Sequence, residues 1–299
     1  MYHKPVMLKE AVDGLSIKPD GTYVDVTFGG GGHSKAILEQ LGENGKLYAF
    51  DRDKAAAENT INDERFTLIE ADFKFLRNYL KIYGAVPFDG LLADLGVSSR
   101  QFDDAPRGFS TRFDAELDMR MTQTSPKTAK QVVNAYGEQE LRDIFKHYGE
   151  LKQAGAIART LVSTRTNRPI NTTGELKTAL ERFAPRGKSA KFFAQVFQAL
   201  RMEVNDEPEA LHQLIKQTTE GLKPGGRFCV IAYHSLEDRP VKHFFKSGNF
   251  TGKQEKDLYG NILRPLTPIK NKVITPAPEE LEENPRARSA KLRIAEKNG

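Results

Sequence analysis

Through roughly the first hundred residues, short β-rich runs alternate with helical patterns, and this alternation limits the possible folds more than any other feature of the chain. TYVDVTF precedes SKAILEQL, KLYAFD precedes DKAAAENTI, FTLIEAD precedes FKFLRNYLKIYG, and FDGLLADL closes the series. Strands alternating regularly with helices build right-handed βαβ units on a parallel sheet, so the expected class is α/β. After Leu95 the alternation stops. Residues 98 to 125 are rich in Arg and Asp without a clear period. From about residue 126 to 220 the apolar spacing is helical, as in Ala154, Ile157, Ala158, Leu161 and Val162, or Phe193, Val196, Phe197, Leu200 and Val204. An inserted helical domain is the expected result. Strand character returns at GRFCVIAYHS, after LKPGG, whose Pro and Gly end a helix and turn the chain. KVITP and SAKLRIAEK are expected to add two more strands. The sheet domain is thus discontinuous, 1–104 and 206–299, around an insert at 105–205.

With 299 residues and 38% hydrophobic content, the chain can bury a full core, and two domains are plausible. Its single cysteine, Cys229, excludes an internal disulfide or a multi-cysteine metal site and suits a reducing compartment. No His/Cys/carboxylate cluster has metal-ligand spacing, so no metal is expected. No apolar run approaches the roughly 18 residues of a membrane span, and MYHKPVMLKEAV is not a leader, so a cytoplasmic protein without membrane contact is expected. The net charge of +5 is unevenly spread: residues 105–205 hold 17 Lys and Arg against 10 Asp and Glu. The last fourteen residues, RARSAKLRIAEKNG, add five basic side chains against one Glu. Such clusters suit a phosphate backbone, a solvated basic surface being the plainer reading.

TFGGGGHS, at residues 27–34, sits between the first strand and the first helix of the alternation. In a parallel α/β sheet the ligand lies at the carboxyl ends of the strands, and a backbone without Cβ lets it approach closely. The helix that follows favours a negative group, phosphate or carboxylate. The run is not a clean G-x-G-x-x-G, since pairing Gly29 with Gly31 puts Ser34 in the third position. Asp51, twenty residues after Gly31, suits two ribose hydroxyls in either a dinucleotide or an S-adenosylmethionine site. Asp72 and Phe73 end the third strand with an acceptor and an apolar face for an adenine, and Asp94 ends the fourth. An ordinary turn, a helix cap and a core phenylalanine are the plainer alternatives.

The segments HKPVMLKEAV, DVTFGGGGHSKAIL, FDRD, LLADLGVSSRQFDDAPRGFS, LDMRM, FQALRMEVNDE, GGRFCVIAYHSLEDRPVK and NPRARSAKLRIAE together resemble the bacterial 16S rRNA cytosine-N4 methyltransferase family, the MraW family, over nearly the whole chain. HSLEDR and DLGVSSxQxD carry most of the specificity. The resemblance implies a Rossmann-like, S-adenosylmethionine-dependent methyltransferase sheet with an inserted all-helical domain. It implies methyl transfer from S-adenosyl-L-methionine to a cytidine in the decoding region of 16S rRNA, within the small ribosomal subunit or its precursor. Oligomeric state stays open. Carried over residue by residue, the cofactor contacts fall on Gly31, Gly32, His33, Asp51, Phe73, Asp94 and Gln101. The chain departs from the family pattern in APRGKSAKFFAQV, at Glu116, and at Arg100, the last two standing where proline is expected.

The cytosine amine is a poor nucleophile because its lone pair is delocalised into the ring, so its N–H groups need acceptors and a proton must leave. Asp94, Ser98 and Ser99 after the fourth strand, and His234, Ser235 and Asp238 after the fifth, are the candidates, with His234 the most natural proton acceptor near neutral pH. Glu237 and Asp238 could instead cap the helix that follows. Methylation at carbon 5 usually needs a thiolate, and Cys229 lies in the apolar run FCVIAY, so nitrogen is the expected target. Phe102, Phe109 and Tyr233 are candidates to stack on a splayed base. Arg107, Arg112, Arg120, Arg186, Lys188, Lys191, Arg286, Arg288 and Arg293 are candidates to grip RNA. Two other readings remain at this level: an NAD-linked oxidoreductase, and a non-enzymatic rRNA-binding or assembly protein on the same fold.

Overall fold

The computed structural model describes residues 5–98, 101, 104–270 and 272–299, so Ser99 and Phe102 fall outside the described residues. In chain order the regular elements are α1 Leu8–Leu15, β1 Thr22–Asp25, α2 Gly32–Leu38, β2 Lys46–Phe50, β3 Phe66–Ile69, α3 Leu76–Ile82 and β4 Phe88–Asp94. The helices α4 Ala129–Ala135, α5 Glu138–His147, α6 Ala154–Asn167, α7 Thr173–Leu180 and α8 Ser189–Asn205 follow. The chain closes with α9 Glu207–Gly221, β5 Leu222–Ala232, α10 Ser235–Ser247, β6 Leu266–Pro268, α11 Pro278–Glu283 and β7 Lys291–Lys297. Two compact units result: Met1–Gly96 with Pro208–Gly299, and Val97–Glu207. The boundary expected at residue 105 therefore lies inside the second unit, because Val97 already packs into that unit's core.

The first unit is a seven-stranded sheet in the order β3-β2-β1-β4-β5-β7-β6. β1 to β5 pair in parallel, as the alternation requires, but β7 runs antiparallel to both β5 and β6. Period-two burial drives the central strands: Val24, Leu91, Ala93, Phe228 and Val230 enter one core, while Tyr23, Leu92, Cys229 and Ile231 enter the other. Each of these larger side chains contributes about 1.5–3 kcal/mol by leaving water. α9 and α10 cover the first face through Leu211, Leu214, Val241 and Phe245, and α1 and α2 cover the second through Val12, Leu15 and Ile37.

Three local expectations differ from the structure. DKAAAENTI forms a 3₁₀ turn at Lys54–Asn59, capped by the Asp53 carboxylate, which accepts from Ala55 N–H. LKPGG does turn the chain, but as a bulge inside β5: Phe88 pairs with Leu222 and Gly90 with Arg227, so the intervening residues loop out through Gly225 at φ 75°. KVITP makes only an isolated bridge, Ile274 to Leu292, and the sixth strand is instead Leu266–Pro268.

The second unit has its own apolar core, built from Phe109, Leu117, Val132, Phe145, Leu161 and Val196 among others. Its aperiodic Arg- and Asp-rich stretch is ordered by buried polar side chains rather than by a repeat. Arg107 donates to the carbonyls of Arg120 and Met121. Asn205 accepts from Met121 N–H at 2.8 Å and donates to Met119 O.

Candidate active site

The carboxyl ends of β1, β2 and β4 in the first unit carry Asp25, Asp51 and Asp94. Asp25 is buried, accepting from Thr27 N–H at 3.0 Å and from the Ser34 hydroxyl at 2.7 Å. The residue that spoiled the glycine fingerprint is thus a strut between loop and strand. Gly29 and Gly31 have φ 50° and 76°, values that disfavour a side chain. A Cβ on Gly31 would also stand 3.0 Å from the Phe28 ring, and one on Gly32 would run into Pro5. The glycines therefore fit the loop against its own protein as well as baring its backbone.

Asp51, just past β2, accepts from Gly29 N–H at 2.9 Å and Asp53 N–H at 2.8 Å. Burial pushes its carboxyl up to about 6, against the lowering effect of those two bonds. Each oxygen keeps a lone pair for a further donor. Asp72 is held by Arg52 at 3.0 Å and caps the turn that carries Phe73, whose half-buried ring packs on the sheet core.

Asp94 is the most heavily engaged. Its amide donates to Thr27 Oγ1 at 2.7 Å, and one carboxylate oxygen accepts from the Tyr233 hydroxyl at 2.7 Å. The other oxygen lies 3.9 Å from His33 Nδ1. Because His33 Nε2 sits 3.1 Å from the Val6 carbonyl, which can only accept, Nε2 carries hydrogen and the Nδ1 edge faces Asp94. Burial raises the Asp94 carboxyl to about 6, with His33 and Tyr233 opposing the shift. The same burial, with Asp94 alongside, drives the Tyr233 phenol far above its usual value.

The turn from β5 into α10 is organised by Glu237. Its carboxylate accepts from Tyr233 N–H at 2.9 Å and lies 3.1 Å from His234 Nε2. Sequence reasoning treated Glu237 only as a helix cap and Tyr233 only as a stacking ring; an acid three residues past the histidine was the available signal. Asp238 is buried in a two-pronged pair with Arg293, at 2.6 and 3.1 Å, with Lys291 at 3.7 Å. That pairing ties α10 to β7.

Ser98 and Gln101 belong to the second unit, where each caps the other: Ser98 N–H donates to Gln101 Oε1 at 3.1 Å and Gln101 N–H donates to Ser98 Oγ at 3.2 Å. Three arginines expected to grip RNA are held internally. Arg107 and Arg293 have the partners given above, and Arg120 makes a two-pronged pair with Asp118. Phe109 is core. Arg112, Arg186, Lys188, Lys191, Arg286 and Arg288 are exposed.

A dinucleotide-binding Rossmann sheet continues in parallel through its sixth strand. Here a reversed β7 is inserted between β5 and β6, with acids gathered at the ends of β1, β2 and β4, and that arrangement is the Rossmann-like methyltransferase fold. The model of the MraW methylase family matches residues 1–298, and the chain belongs to that family. It is similar to the ribosomal RNA small subunit methyltransferase H of Flavobacterium johnsoniae, 59% identical and covering 99% of this chain and 98% of the relative. The proteins of the same name from Christiangramia forsetii and Parabacteroides distasonis are 56% and 54% identical, each alignment covering 99% of this chain and 98% and 97% of the relative. Family membership removes the oxidoreductase reading.

Proposed function

We propose that the protein transfers a methyl group from S-adenosyl-L-methionine to N4 of a cytidine in the decoding region of 16S rRNA, acting in the cytoplasm on the small ribosomal subunit or its precursor. Membership of a methylase family and the rRNA named for its relatives support the reaction class. The observation that carries the reading is Asp94: a partly buried carboxylate whose carboxyl desolvation raises to about 6, oriented by Tyr233 and flanked by His33.

The residues present fit the cofactor. Asp51 can accept two ribose hydroxyls on oxygens that each hold one N–H, the Gly29 to Gly32 backbone bars bulky side chains, and Phe73 offers a ring face at the end of β3. Gly31, Gly32, His33, Asp51, Phe73, Asp94 and Gln101 are the proposed cofactor contacts, and Ser98 is a proposed catalytic residue. When bound, the sulfonium supplies an electrophilic methyl.

Asp94 accepts an N–H of the cytosine amine, which localises the nitrogen lone pair, and then takes the proton that must leave. Tyr233 holds the carboxylate in one orientation. Glu237 positions Tyr233 and His234 by fixing the turn they stand on, and Asp238 works at a further remove by anchoring α10 through Arg293. Cys229 is fully buried with its thiol pushed far up by desolvation, so it cannot furnish the thiolate that carbon-5 methylation requires. Among the described residues no helix is long and apolar enough to cross a membrane.

Labelled S-adenosylmethionine, incubated with the protein and small subunits lacking the modification, should place label on cytidine N4 by nucleoside mass spectrometry. Label on another base or position, or none despite cofactor binding, would overturn the proposal.

A further inference from the structure

Away from the strand-end carboxylates, one edge of the first unit is strongly basic. Lys242 and Lys246 stand one turn apart on α10, and Lys270 and Lys272 follow β6. With Arg293 they line a small pocket that no carboxylate lines. Arg293 is neutralised by Asp238, whereas among the described residues none of the four lysines has a carboxylate within 4.0 Å. Between residues 242 and 272 there are seven Lys and Arg against two Asp and Glu, an excess equal to the +5 of the whole chain. Side chains that repel one another without internal partners suit an external polyanion.

A hairpin rooted at the same helix end adds a different feature. Its legs meet at the Lys256–Ile262 bridge, and Arg264 at its base donates to the Lys246 carbonyl at 3.3 Å. Asp257 holds the tip by accepting from Tyr259 N–H and Asn261 N–H, yet Tyr259 is 90% exposed. An ordered backbone presenting a bare aromatic ring beside a lysine cluster has the two elements of single-stranded nucleic-acid binding, a charge track and a stacking platform.

We propose that this edge is an rRNA-docking surface worked by residues other than the insert and tail residues singled out above: Lys242, Lys246, Lys270 and Lys272 take backbone phosphates, and Tyr259 stacks on an unpaired base. The inference rests on the rRNA reading of the active site. The test uses the full chain, with Lys242, Lys246, Lys270 and Lys272 all changed to Gln in one variant and Tyr259→Ala in another. Each is assayed for KM toward unmodified small subunits across a salt series, and for S-adenosylmethionine affinity. The lysine variant should raise KM at least about tenfold and flatten the log–log salt slope by about 3–4, given about 0.7–0.9 for each of four phosphate contacts. Its kcat and cofactor affinity should stay as in the wild type. Tyr259→Ala should raise KM about fivefold or more with the slope unchanged, because stacking releases no counterions. Wild-type KM and slope in the lysine variant would overturn the surface while leaving the reaction intact, and an unaltered KM in Tyr259→Ala would overturn the stacking. If even the wild type fails to methylate subunits, the reaction reading falls separately. The surface is then judged by binding of naked 16S rRNA, equal affinity of wild type and lysine variant overturning it.

Discussion

Asp94 is costly to the folded protein, and useful in the proposed reaction, for one reason, the partial loss of water around a carboxylate. Its carboxyl moves from 3.8 to about 6 on folding, a shift worth on the order of 3 kcal/mol. The folded state holds the proton more tightly than the unfolded one, so this group's contribution to stability falls as pH rises from about 4 to about 6. Asp94→Asn has no proton to lose and should therefore gain stability relative to wild type across that window. Urea unfolding of both proteins at several pH values would show it; parallel curves would mean the carboxylate is not desolvated. Methyl transfer should behave oppositely. The wild-type rate should fall below about pH 6, and Asp94→Asn should lose about 10²–10⁴ in kcat. The sequence made Asp94 and Asp51 visible because each ends a strand, but not the side chains that tune them. Tyr233, Glu237 and Ser34 act through contacts that no spacing rule encodes, and Asp238 and Arg293, read apart as catalyst and RNA contact, are each other's partner.

At the scale of elements, the loop from β1 to α2 is set by backbone conformation. Gly31→Ala would place a side chain at φ 76° and 3.0 Å from the Phe28 ring, and should cost about 1–3 kcal/mol of stability. It should also weaken cofactor binding, because Gly29 N–H, in the same loop, helps hold Asp51. Thermal or urea melts with cofactor titration would check both, and a neutral result would show that the loop relaxes freely. β1 to β5 were legible as short apolar runs, and β7 as an alternation in which Leu292 and Ile294 are buried between partly exposed Lys291 and Arg293. β6 was not: a three-residue edge strand ending in proline has no period to detect. The 3₁₀ turn after β2 was misjudged because alanines favour helix locally, whereas Asp53 caps only a short turn.

The whole molecule divides by cores. Val97–Glu207 encloses its own apolar cluster, including Phe145, Leu161, Val196 and Leu200, with buried polar clamps at Arg107 and Asn205. A fragment spanning 97–207 should therefore melt cooperatively and show a helical circular dichroism spectrum; a featureless melt would mean its core depends on the rest of the chain. The insertion was legible as a change of period from two to 3.6, whereas its starting point at Val97 was set by packing, which periodicity does not report.

That insertion also sets a timetable for synthesis. β4 and β5 are hydrogen-bonded neighbours at the middle of the sheet, yet 128 positions separate Asp94 from Leu222. At about 5–20 residues per second, the ribosome leaves the apolar edge of β4 without its partner for roughly 6–26 s. An unpaired strand edge recruits other strands. The helical insert, rich in local contacts, can fold within that interval. Substitutions that slow translation or folding of the insert should thus show themselves as aggregation of a sheet they never touch.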